Sequence, residues 1–316
     1  MKPQRRKVVV IGAGFVGTTY IYALMQTGLA SEIAIVDVDP KRVEGEVMDL
    51  SHGLPFLPPV NVKAGSYQDC ADAALIVVTA GAKQTPGQSR LELINKNARI
   101  VADICQNIKK FESNAVFLMV TNPVDTLTHV AVDTLGWNRK RILGSGTVLD
   151  SARFRFLLSK HCAIDPHNIH AYILGEHGDS ELAAWSMTHL AGIQITDYCK
   201  TCAKCDWKKE HKKIAQQVKD SAYHIIDYKG STYYGIGLSL IRISAAVLRD
   251  EHSVLTVSSL IKGEYGLDNV CISVPSVVSA KGIDRIITAP LNRNEITALK
   301  ASAKTLSQVY NSISLK

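Results

Sequence analysis

Lys7-Val8-Val9-Val10-Ile11 runs straight into Gly12-Ala13-Gly14-Phe15-Val16-Gly17, and this junction restricts the fold more tightly than any other stretch of the chain. The first five residues read as a buried parallel strand. The run Thr18 to Gln26 reads as a helix, with Gly28 as its stop. Gly12 permits the tight turn, Gly14 lets backbone approach a pyrophosphate, and Gly17 allows helix and strand to pack closely. Amides at the helix N-terminus then face the phosphates. A second apolar strand, Ile33-Ala34-Ile35-Val36, ends in Asp37. An acid there accepts hydrogen bonds from the adenine-ribose hydroxyls and repels a 2′-phosphate, so the unit predicts NAD rather than NADP. Asp39-Pro40 starts the next helix, where Val43, Val47 and Leu50 recur on one face.

Four further strands complete a six-stranded sheet in this reading: Val60 to Ala64, Leu75 to Thr79, Ala115 to Val120 and Ile142 to Gly144. Ligands bind such sheets at the carboxyl ends of the strands. Thr79-Ala80-Gly81 lies at one of these ends, and Thr121-Asn122-Pro123-Val124-Asp125 at another. Asn122 is placed to orient a nicotinamide amide or a substrate hydroxyl, or simply to cap the turn. Between these strands, Ala82 to Arg90 is polar and broken by Pro86 and Gly87. It reads as a mobile cover that leads into a helix bearing Ile94, Ala98, Val101, Ile104 and Ile108 on one side. Closure would exclude water and bring Arg90 to a developing oxyanion. A solvated first-turn arginine is the plain alternative.

The domain change falls near Gly144-Ser145-Gly146, dividing the chain into residues 1–145, which carry the nucleotide site and the cover, and residues 146–316. Thr147 resembles an N-cap. Asp150 and Arg153, three apart, share one face of the helix that follows. They form either a surface ion pair or two parts of a site: a carboxylate to orient an imidazole and a guanidinium to clamp a substrate carboxylate. The imidazole would come from Gly175-Glu176-His177-Gly178-Asp179-Ser180, where one histidine sits in a polar bend; its unperturbed pKa near 6.5 suits proton transfer. Arg155 points about 200° away from Arg153 on a helix and cannot share that pocket. With His170 it suggests a second anion site, the plain alternative being that both residues have only structural roles. Thr232, in the compact bend Lys229 to Gly235, is placed to line a small cavity. Later strands are expected at Val254 to Ser258, Asn269 to Val274 and Ile283 to Thr288, and a final helix from Asn294 to Ile313.

Composition removes several classes. The chain has 316 residues, 46% of them hydrophobic and 21% charged, which describes an ordinary soluble globular protein. Its net charge of +7 is spread along the chain and does not mark a nucleic-acid surface. No membrane span or signal peptide is legible at the N-terminus. Seven cysteines without disulfide spacing suit a reducing compartment, the cytoplasm. Cys199-x-x-Cys202-x-x-Cys205, with His211 nearby, has some character of a zinc set. No second cysteine pair follows, so the interval reads as a polar loop with free thiols, and no metal is expected. Lys208 to Lys213 reads as a solvated helix face.

In their order and separation, these motifs resemble the L-lactate dehydrogenase family, within the wider lactate/malate dehydrogenase superfamily. The resemblance covers essentially the whole chain and rests on Gly12 to Gly17, Thr79-Ala80-Gly81, Thr121 to Asp125, Leu149-Asp150-Ser151-Ala152-Arg153 and Gly175 to Ser180. It implies a Rossmann-type doubly wound parallel sheet with a second α+β substrate domain, and reversible hydride transfer between L-lactate/pyruvate and NAD⁺/NADH. His177 and Asp150 would form the proton-transfer pair, Arg153 would fix the substrate carboxylate, and Arg90 would polarise the ketone. Asn122 would arrange the nicotinamide and the reacting oxygen. Gln84 matches the position that favours a pyruvate-sized side chain, where malate enzymes carry arginine, and Thr232 matches a residue beside that small group. Arg155 and His170 match positions that bind fructose 1,6-bisphosphate between subunits of many bacterial members, and the family implies a homotetramer. The rival readings are a preference for malate or a longer 2-hydroxy acid, and a non-catalytic NAD-binding protein on the same scaffold. Rate ratios among 2-oxo acids separate all three.

Overall fold

Alternation along the first strand sets the core. In β1 (Lys7–Ile11), Val8 and Val10 face one way and Val9 and Ile11 the other, and all four are buried. A strand buried on both faces belongs inside a parallel sheet covered by helices on each side. The computed structural model, which describes residues 6–83, 87, 89–202 and 206–315, places it there. The chain continues through α1 (Phe15–Met25), β2 (Glu32–Val36), α2 (Pro40–His52), β3 (Asn61–Ala64), β4 (Leu75–Val78), α3 (Arg90–Lys109), β5 (Val116–Met119), α4 (Val124–Leu135) and β6 (Ile142–Gly144). These six strands pair in parallel in the order β6-β5-β4-β1-β2-β3.

The second half begins with α5 (Val148–Cys162). It adds the short strands β7 (Ile169–His170), β8 (Ile173–Leu174), β9 (Leu182–Ala183), β10 (His189–Leu190) and β11 (Ile193–Gln194), then α6 (Ile195–Cys202), α7 (Trp207–Lys229) and α8 (Tyr234–Leu248). The strands β12 (Ser253–Leu255), β13 (Ser258–Lys262), β14 (Asp268–Ser273), β15 (Ser276–Ser279) and β16 (Gly282–Ile286) follow, and α9 (Arg293–Asn311) closes the described chain.

The expected six-stranded sheet has eight strands. The antiparallel hairpin β13–β14 joins its edge where Ser258 pairs with Gly144. The reason is packing. Leu260 and Cys271 of the hairpin are buried in the same cluster as Val9, Ile76 and Phe117, so the late strands extend the face that α3 and α4 cover. On the opposite face, Val8, Val10, Ile33 and Val77 share a cluster with Leu240 and Ile243 of α8. Thus the second half of the chain both extends the first sheet and covers one of its faces.

Two smaller expectations also change. Thr147 precedes α5, but its hydroxyl makes no cap; it donates to the Ile173 carbonyl at 2.5 Å. Cys199 lies buried on α6 among Phe154, Trp185 and Trp207, not in a polar loop. Cys205 and the Cys202 side chain lie outside the described residues.

Candidate active site

The glycine-rich turn has the shape that a dinucleotide needs. Gly12 has φ +114°, and its amide donates to the Val36 carbonyl at 2.8 Å. A Cβ on Gly17 would stand 2.0 Å from the Gly12 carbonyl oxygen, whereas one on Gly14 would meet nothing within 4 Å. The turn is therefore closed on its inner side and open where phosphates approach. Gly14 caps α1 with no side-chain bond, so the first helical amides, from Phe15, Val16 and Gly17, are available to an anion. Asp37 accepts from the Ala13 amide at 2.7 Å and the Asp39 amide at 3.1 Å, which fixes its carboxylate at the end of β2. These residues fit NAD. Phe15 is half exposed and lies beneath Lys83 Nζ, 4.9 Å from the ring centre.

At the next strand end, the Thr79 hydroxyl donates to the Gly12 carbonyl at 2.9 Å and the Thr121 hydroxyl to the Ala80 carbonyl at 2.7 Å. Gly81 lies against Thr121 so closely that a Cβ there would be 2.3 Å from the threonine methyl. Asn97, buried on α3, was not anticipated. Its Oδ1 accepts from the Ala82 amide at 2.8 Å and its Nδ2 donates to the Asn122 carbonyl at 3.1 Å, tying the root of the cover to the Asn122 turn. Gln84, with Thr85, Pro86 and Gln88 of the cover, lies outside the described residues.

Five elements converge on His177. Backbone pairing between Gly175 and Ser273 anchors the bend to β14, and the Glu176 amide donates to Ser302 Oγ of α9 at 2.8 Å. The His177 amide donates to Asp125 Oδ2 of α4 at 2.7 Å. Ser151 Oγ of α5 accepts from the Ile173 amide at 2.9 Å, which locks α5 to the strand leading into the bend. Asp150, 2% exposed in the first turn of α5, then places Oδ2 2.5 Å from His177 Nδ1 and accepts from Arg153 Nη1 through Oδ1 at 2.8 Å. Nε2 is left as the ring nitrogen open to a substrate.

The electrostatics follow from that contact. Burial opposes charge on His177, but the Asp150 charge and hydrogen bond, helped by Asp125 and Glu181, outweigh it and raise the imidazole to about 9. Burial likewise opposes charge on Asp150, and His177 and Arg153 overcome it, holding the carboxylate below its usual range. Asp125 has less help: burial pushes its carboxyl up to about 6 despite the His177 amide. In the sequence Asp125 stands out only as part of the Thr121 to Asp125 motif; an acid in the first turn of a helix rich in apolar residues is the available signal.

A cavity of about 440 Å³ opens beside His177, lined by Arg90, Asn122, Asp150, Arg153 and Glu181 among others. Arg90 enters as the first residue of α3, capped by reciprocal Ser89–Glu92 bonds, and lies 3.7 Å from Asp179 as an exposed ion pair. The far wall is α7, through Val218, Lys219, Tyr223 and Ile226, which the sequence reading missed. Thr232 sits in the turn between α7 and α8 and is not among the lining residues. Arg155 and His170 stay apart from this cavity, as expected. Arg155 Nε is buried without a hydrogen-bond partner, while His170 is exposed on β7 opposite His189.

Residues 6–144 match the NAD-binding domain of lactate/malate dehydrogenases, and residues 147–314 match their alpha/beta C-terminal domain. The chain is 52% identical to L-lactate dehydrogenase 1 of Clostridium acetobutylicum over 308 residues, covering 97% of this chain and 98% of that one. It is 47% identical to the L-lactate dehydrogenase of Acetivibrio thermocellus over 310 residues, 98% of each. Among solved structures, the ligand-bound minor L-lactate dehydrogenase of Enterococcus mundtii superposes with a TM-score of 0.96 at 40% identity, across 99% of this chain and 100% of that one.

Proposed function

Because the chain belongs to the lactate/malate dehydrogenase family, as an NAD-dependent enzyme of the L-lactate dehydrogenase kind, we propose that the His177 cavity is where L-lactate and pyruvate are interconverted. The observation that carries the reading is the shared Asp150 carboxylate, bonded to His177 on one oxygen and to Arg153 on the other, at the wall of a cavity that also reaches Asn122.

Bound NAD supplies the hydride acceptor or donor. The protein handles the proton and the charge. During lactate oxidation, His177 Nε2 takes the hydroxyl proton; during pyruvate reduction, it returns one to the carbonyl oxygen. Asp150 fixes the tautomer through Nδ1 and stabilises the imidazolium. Arg153 binds the substrate carboxylate, Arg90 meets the charge growing on the reacting oxygen, and Asn122 orients that oxygen and the nicotinamide. By family resemblance, Gln84 keeps the side-chain end of the pocket small and uncharged, and Thr232, outside the cavity lining seen here, borders that end in the closed site. The division at 145/146 separates the cofactor half from the half that carries His177.

Replacing Asp150→Asn removes the negative charge but keeps the shape. Turnover should fall roughly 100- to 10,000-fold, with NADH binding retained. Unchanged turnover would remove Asp150 from the mechanism.

The same reading includes cytoplasmic location, a homotetramer, and activation by fructose 1,6-bisphosphate at Arg155 and His170. The unpartnered, buried Arg155 Nε supports an anion arriving on that side. Activation predicts that the bisphosphate lowers the pyruvate concentration needed for half-maximal rate; identical curves across pH and protein concentration would contradict it.

A further inference from the structure

Glu181 is a buried acid that the reaction as read above leaves unused. It directly precedes β9, and its amide closes a turn onto the Gly178 carbonyl at 3.1 Å, so it belongs to the same bend as His177. It is 6% exposed, and its Oε1 is shut from solvent with no hydrogen-bond partner. A carboxylate oxygen of Glu181 nevertheless comes within 4.8 Å of the donor atoms of both Asp150 and His177. An acid placed there at the cost of solvation calls for an account.

Its charged surroundings come from four elements and the bend. Asp150 and Arg153 face it from α5, and Lys219 and Tyr223 from α7. His177, Glu176 and Asp179 lie on the bend itself, with Arg90 of α3 and Asp125 of α4 bordering the group. The nearby cations are engaged elsewhere: Arg153 bonds Asp150, Lys219 donates to the Asp179 carbonyl at 2.8 Å, and Arg90 pairs with Asp179. Glu176 is bonded to Ser180 at 2.5 Å. Burial, then the Asp150 charge, pushes the Glu181 carboxyl up to about 8, against the pull of His177, Lys219 and Arg153.

The three donors also have the spacing of a cation site. That use is disfavoured, because each Asp150 oxygen already accepts a bond and a metal would have to displace the imidazole proton beside the Arg153 guanidinium. The exchangeable cation of this cluster is the proton.

We propose that Glu181 is a positioning residue that acts through His177, its carboxyl charge setting how firmly the Asp150–His177 pair keeps its proton. The proposal rests on the reading of His177 as the proton-transfer group. While Glu181 is neutral it contributes little. Once ionised it adds a second negative charge behind the imidazolium and extends the protonated state to higher pH. Pyruvate reduction needs protonated His177, so its rate should fall as pH rises through about 9 in the wild type. Glu181→Gln keeps the volume and removes the charge. Its alkaline limb should lie lower by about half a pH unit or more, the effect of one charge at this range even at the dielectric of water. Lactate oxidation needs neutral His177, so its acid limb should move down by the same amount.

The test is kcat/KM against pH in both directions for wild type and Glu181→Gln, with NADH binding as the check on folding. A titration of the His177 imidazole by ¹⁵N NMR runs beside it. Parallel downward shifts of both limbs and of the imidazole midpoint are expected. Superimposable limbs and an unmoved midpoint would overturn the role of Glu181. Failure of the underlying reading looks different: His177→Gln would keep the wild-type limb and ordinary turnover.

Discussion

Asp150 holds two cationic partners at once, and that double hold decides how the site works. A carboxylate only 2% exposed would ordinarily be driven neutral; one oxygen against His177 and the other against Arg153 keep it charged. On the proposed reading, a substrate carboxylate would take part of the Arg153 fork, and the same acid would then link substrate binding to the proton on His177. Spacing and residue type made Asp150, Arg153 and His177 legible, because an acid and an arginine three apart on a helix can share a face. Asp125, Asn97 and Glu181 were not legible in that way. Asp125 lies 52 residues from the amide it accepts, and Asn97 lies 25 from the carbonyl it ties. Such partners meet only because of how the elements pack. Gln84, assigned by resemblance alone, lies outside the described residues.

At the scale of elements, the first strand, turn and helix behave as one rigid piece. The inner side of the turn has no spare room: a methyl on Gly17 would stand 2.0 Å from backbone oxygen that cannot swing away. Gly17→Ala should therefore force β1 and α1 apart, costing about 1–3 kcal/mol of stability and weakening NADH binding at least tenfold. Thermal melts and NADH fluorescence titration check both; unchanged NADH affinity would show that the turn does not need this contact. The parallel strands were read within a residue or two because their apolar runs are continuous, as burial on both faces requires. In the hairpin, β14 is read within a residue as Asn269 to Val274, but β13 escapes the sequence for a physical reason. Val254 to Ser258 contains the end of one strand and the start of another, and no periodicity reveals that Ser258 turns to pair with Gly144. The helical start of the cysteine-rich interval was hidden by its charged residues, although Ile195 and Cys199 recur one turn apart on a buried face.

For the whole molecule, the halves are interlocked rather than merely adjacent. The hairpin β13–β14 extends the first sheet, α8 covers one of its faces, and Asp125 from the first half holds the amide of His177 in the second. The setting of His177 thus depends on both halves of the chain. Around the cavity, Arg90, Arg153 and Lys219 supply positive charge, which suits the anionic substrate proposed for it. No helix among the described residues is long and apolar enough to cross a membrane. The most direct test of the account follows NADH consumption by the purified protein with pyruvate and, separately, with oxaloacetate. The account predicts a kcat/KM for pyruvate higher by roughly a hundredfold or more, because the proposed roles of Gln84 and Thr232 offer a second carboxylate no charge-paired place. A preference for oxaloacetate would contradict it.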